Sequence, residues 1–175
     1  MTIFTRLAAA GLIAFGASAC VENTQSTKSM VEAMSSCEKV DALLQAHRNG
    51  FSKIRTSRST AARIDIWKAR YHLVGNNCQI WGWSGERFDY VCNATAPTET
   101  IAREWYEKAK VETAKCLDES WTLKEMPRSI GNGSKAVFSQ KGSDLKIATH
   151  VIETRGLFKT EWATYYFIGD SNEDL

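Results

Sequence analysis

The sequence predicts an α+β protein built as two tandem halves, each a helix laid on an antiparallel sheet and carrying disulfide-forming cysteines. Three observations predict it. The stretch from Gly75 to Cys92 reads as a β-hairpin, with two alternating runs around a Ser84-Gly85 turn. Two segments, near residues 29–48 and 98–117, carry apolar residues at helical spacing. Each of these is followed by several short alternating runs separated by Gly, Asn and Ser. The element order is then helix, about four strands, helix, about four strands, an internal repeat of architecture. The first half spans 29–95 and the second 96–170, with an acidic tail at 171–175. A chain of 175 residues with a formal charge of +2 and two prolines suits this size.

The first twenty residues differ from the rest. Arg6 precedes the apolar run Leu7 to Phe15, and small residues follow in Gly16-Ala17-Ser18-Ala19 before Cys20. One positive charge, a short apolar core and small residues make a secretory signal over 1–19. The run is too short for a spanning helix. Ala17-Ser18-Ala19-Cys20 resembles a bacterial lipobox. That resemblance implies that Cys20 takes diacylglycerol and a palmitate-type acyl chain and becomes the new N-terminus. Ala17 stands where leucine is usual in the family. Val21 after the cysteine, by likeness to enterobacterial sorting, implies the outer membrane. Residues 20–28 are then a short polar tether. The alternative is cleavage after Ala19 and a soluble periplasmic protein. Cysteine arithmetic favours lipidation: of five cysteines, removing Cys20 leaves four that can pair fully.

Along the mature chain, Ser29-Met30-Val31-Glu32 matches a capping box. Met30, Met34, Cys37, Val40 and Leu44 form the stripe that follows, and Asn49-Gly50 ends the helix. Phe51 to Thr56 alternates as a short strand, with Ser57 to Thr60 as a loop. Ala61 to Leu73 reads as a strand whose apolar parity changes midway, which a bulge near Ile66-Trp67 would explain; a helix is the alternative. In the hairpin, placing Cys78 opposite Cys92 sets Ile80 against Tyr90 and Gly82 against Phe88. One face then carries both thiols and the apolar residues. The other carries Gln79, Trp81 and Trp83 against Val91, Asp89 and Arg87. Pro97-Thr98-Glu99 opens the second helix, whose stripe is Ala102, Trp105, Tyr106, Ala109, Thr113, Cys116 and Leu117, with Glu104 and Lys108 spaced to pair. Strands follow at 120–126, 134–140, 145–153 and 160–168. Tandem halves of this kind resemble the layout of β-lactamase-inhibitor proteins and some small envelope lipoproteins, in element order.

Four cysteines allow three pairings. The hairpin register favours Cys78 with Cys92, which leaves Cys37 and Cys116 to tie the two helices; the rival pairing crosses from helix to hairpin. No Cys-x-x-Cys spacing supports zinc, and export favours oxidation. No catalytic constellation emerges. His47 sits at a helix end, His72 on a polar face and His150 in mid-strand, each without a metalloprotease or nucleophile motif around it. Glu86 and Asp89 read as turn and surface residues. The expectation is a non-enzyme without cofactor or metal. Residues 39–73 hold eight Lys or Arg against two acids, either a basic patch or a solvated face. Trp81, Trp83 and Arg87 are the expected binding residues, provided their face is open. The expected role is an envelope lipoprotein that binds a protein or wall component, without nucleic acid. The alternative is a periplasmic inhibitor or immunity protein that blocks a wall-degrading or toxic enzyme by inserting the Ser84-Gly85-Glu86 tip.

Overall fold

The computed structural model describes residues 29–61, 64–84, 86–155 and 160–170. The signal, lipobox, tether and acidic-tail readings lie outside them. The elements are α1 (Ser36–His47), a 3-10 turn (Ser52–Ile54), β1 (Arg55–Ala61), β2 (Ile64–Ala69), β3 (Asn77–Gly82), β4 (Phe88–Ala96), α2 (Glu99–Cys116), β5 (Trp121–Pro127), β6 (Gly133–Gln140), β7 (Lys146–Arg155) and β8 (Thr160–Gly169).

The expected division into two halves does not hold. All eight strands form one antiparallel sheet in the order β1-β2-β3-β4-β8-β7-β6-β5. The joint is β4 with β8, paired from Tyr90–Ile168 to Ala96–Trp162. The reason is elementary. A hairpin ending at β4 leaves a row of backbone donors and acceptors unpaired beside apolar side chains, and β8 satisfies both needs. One core follows: Val40 and Leu43 of α1 pack with Ile80, Tyr90, Ile147, Tyr166 and Ile168 from strands across the joint. The helices lie on that one face, bonded to each other through Cys37–Cys116.

The capping box of α1 is Ser35 with Glu38, not Ser29 with Glu32. Residues 29–33 form a separate helical turn, and Met30 is exposed rather than core. Both sites fit the same Ser-x-x-Glu pattern, but only the second leads into residues that meet the sheet, Val40 and Leu43. Gly50 ends the helix at φ +61°, where an added Cβ would lie 2.6 Å from Phe88. Buried Phe51 also takes a left-handed φ of 61°, its N–H donating to the Ala46 carbonyl. The expected strand from Phe51 is therefore a 3-10 turn, and the expected loop at Ser57–Thr60 is strand. Its polarity is that of a sheet edge, which β1 is.

The parity change around Ile66-Trp67 needs no bulge. Ile66 pairs with Trp81 on one face and Trp67 with Ile80 on the other, in unbroken register. The irregularity lies in β1, between Arg55 and Arg58. The hairpin has the register Cys78–Cys92, Ile80–Tyr90, Gly82–Phe88, and the second disulfide is Cys78–Cys92. Thr98 caps α2, and Ala102, Tyr106, Ala109 and Thr113 are its buried residues. Two buried hydrogen bonds fasten α2 to β8: Thr164 Oγ1 donates to the Ala102 carbonyl at 2.8 Å, and the Thr113 and Tyr166 hydroxyls bond at 2.8 Å. The Glu104–Lys108 pair does not form; Glu99–Arg103, Glu107–Lys110 and Glu112–Lys115 do.

The open face of the sheet as candidate functional site

Alternation sends odd-numbered residues of the hairpin away from the helices. That face holds a second apolar cluster. Val91, Val137, Ala148 and Phe167 are buried, with Trp81 and Tyr165 half-buried against them. Among the described residues, no helix packs there. The cluster covers itself with large rings: Tyr165 and Phe167 stack at 5.9 Å, and His150 lies 5.1 Å from Phe167. One register row runs Lys68, Gln79, Val91, Phe167, Ala148, Val137, Lys124. Its centre is apolar and an exposed lysine stands at each end.

Trp81, Trp83 and Arg87 come together at the tip of this face. The Trp83 N–H donates to the Arg87 carbonyl, one step beyond the ladder. Trp81 and Trp83 meet edge to face at 5.9 Å, and both are half-buried. Each indole N–H is already bonded, Trp81 to Gln79 Oε1 at 2.8 Å and Trp83 to Asp89 Oδ2 at 2.6 Å. Their faces, not their donors, remain for a partner. Arg87 is exposed and makes no ion pair among the described residues. Asp89 is a correction: it is 1% exposed rather than a surface residue, held under Trp83 and against Gly169.

Of the basic residues in 39–73, Arg55 and Arg58 both lie over the Trp67 ring, at 4.1 and 5.5 Å, and Lys68 stands apart from them. Arg55 is sandwiched on the helix side, 4.1 Å from the Trp67 ring and 4.0 Å from Phe88. Arg58 pairs with Asp65 at 2.6 Å, whereas Lys68 is on the open face. Of the histidines, His47 pairs with Asp170 at 3.1 Å, His72 is exposed, and His150 is buried on the open face. Among the described residues no three His, Cys, Asp or Glu side chains gather as a metal site.

Sequence reasoning did not single out Tyr165 and Phe167, and it read His150 only as a mid-strand histidine. The signal was present. In the strand expected at 160–168, Trp162, Thr164, Tyr166 and Ile168 alternate with Ala163, Tyr165 and Phe167, and the second set is as apolar as the first. Apolar residues at both parities mark a strand buried on both faces.

Two disulfides among the described residues mark an oxidising, extracytoplasmic compartment. Among those residues no helix is long and apolar enough to cross a membrane. No family model, curated protein or solved structure matches the chain.

Proposed function

We propose that this protein is a non-enzymatic binding module of the bacterial cell envelope, lipid-anchored through Cys20 at the periplasmic side of the outer membrane. It holds a protein or wall component on the open sheet face. The observation that carries the reading is the apolar cluster of Val91, Val137, Ala148 and Phe167 on the face opposite the helices, with the half-buried rings of Trp81 and Tyr165 at its surface. Half-buried tryptophan and tyrosine rings are of the residue types enriched in protein interfaces. Rim lysines Lys68 and Lys124 favour a partner whose contact surface is acidic at its edges. The inhibitor reading remains the alternative; Gly85 of its expected inserting stretch lies outside the described residues. Pairing of Trp83 with Arg87 directly beyond the ladder favours the face over the tip.

The test is a pull-down from solubilised envelope using the chain from Val21 onward with both disulfides formed. One saturable partner should be retained by the wild type and lost by Lys68→Glu/Lys124→Glu. Substitution of exposed Lys115 on α2 should leave retention unchanged. Equal retention by the face variant would overturn the reading. Palmitate labelling of the full chain, abolished by Cys20→Ser, tests the anchor.

A further inference from the structure

On the other side of the sheet, a cleft of about 300 Å³ opens between α1, α2 and the chain leading into and out of the hairpin. Six of its lining residues are apolar, Val40, Leu73, Val74, Ala94, Trp105 and Ala109, and exposed Ser36 stands among the polar ones. Thr113 and Tyr166 also line it, their hydroxyls bonded to each other. An apolar chain entering there leaves that buried hydroxyl pair satisfied. Two charged residues also line it, Lys108 and Glu112. Glu112 is taken up by Lys115 at 2.9 Å. Lys108 is exposed and has no ion pair or hydrogen bond among the described residues. The local anion is thus neutralised and the local cation is not.

We propose that this cleft binds a medium-chain monocarboxylic acid, its tail between the helices and its carboxylate on Lys108. Size argues the length. At about 30 Å³ for each water-sized atom, 300 Å³ holds about ten non-hydrogen atoms, an acid of roughly eight to ten carbons. A two-chain lipid is far too large. A lone ammonium suits a carboxylate, whereas planar bidentate recognition of phosphate favours arginine. The site lies on the helix face and is independent of the open face.

Decanoate, below its micelle concentration, is titrated into the disulfide-bonded chain from Val21 onward by calorimetry, with tryptophan fluorescence reporting Trp105. Decan-1-ol and hexadecanoate are the comparison ligands. One saturable site is expected, with decan-1-ol and hexadecanoate each about tenfold weaker. Lys108→Met should weaken decanoate about tenfold and leave decan-1-ol unchanged. Ala109→Leu, with its fold verified by thermal melting, should remove both. The fluorescence change should vanish in Trp105→Phe while binding by calorimetry persists. Absence of saturable decanoate binding would overturn the proposal. So would unchanged decanoate affinity in Lys108→Met, whose exposed position leaves folding intact.

Discussion

Trp83 is where the site and the stability of the fold meet. Its ring faces the open side of the sheet, yet its indole N–H is bonded at 2.6 Å to a carboxylate that is 1% exposed. Trp83→Phe keeps an aromatic ring but deletes the indole N–H bond to buried Asp89, so it should lower unfolding stability by about 1–3 kcal/mol in urea titrations. Trp81 is bonded only to part-buried Gln79, and Trp81→Ala should lose partner retention with a smaller stability change. The two tryptophans were indistinguishable in sequence. A strand pattern places a residue on a face but does not say which buried group its donor meets.

The elements are held by their ends and by their crosslinks. At the start of α1, the Ser35 backbone N–H and hydroxyl both donate to the Glu38 carboxylate at 2.7 Å. The backbone bond and then the hydroxyl bond hold its pKa below the ordinary 4.5. Because the folded value is the lower one, the unfolded chain takes the proton first as pH falls. The stabilisation is present above about pH 4.5 and is lost as pH drops through the folded value. Wild type should therefore melt above Glu38→Gln at pH 7, and the gap should narrow as pH falls below 4.5 in thermal scans. The Cys37–Cys116 bond closes a 79-residue separation, against 14 for Cys78–Cys92. Chain entropy assigns roughly 4.5 kcal/mol to the first and about 3 to the second. Guanidinium unfolding of Cys37→Ser/Cys116→Ser should show the larger loss of the two double variants if the entropic account governs.

Across the whole molecule, one core under two helices ties both ends of the sheet into one cooperative unit. Tyr90 and Tyr166 lie in it, and Tyr106 seals its neighbour under α2. Burial raises all three hydroxyls above their ordinary value of 10, aided at Tyr90 by Tyr166 and at Tyr106 by Glu125. The unfolded chain ionises near pH 10 while the folded one keeps its protons, so stability falls as pH rises beyond 10. Tyrosinate absorbance from these residues should appear together with loss of far-ultraviolet dichroism, in one transition. Tyr166→Phe should make the decline with pH less steep. A tyrosinate signal from all three preceding unfolding would contradict the burial.

By itself the sequence determined what is local. The hairpin register, the Cys78–Cys92 bond and the cap at Thr98 rest on neighbours a few residues apart, where alternation and backbone donors leave few options. Cys37–Cys116 followed by elimination once the hairpin was set. What only the tertiary structure decided is long-range. Whether β4 ends a half or joins β8 depends on which distant strand satisfies its free edge, and many apolar strands fit that description. The choice between Ser29 and Ser35 as cap depended on which turn meets the sheet. Whether Trp81 and Trp83 face the helices or the open side depended on where α1 and α2 settle, a burial question that no strand period contains. The cleft beside Lys108 joins residues from two helices and a hairpin, and exists only once they pack.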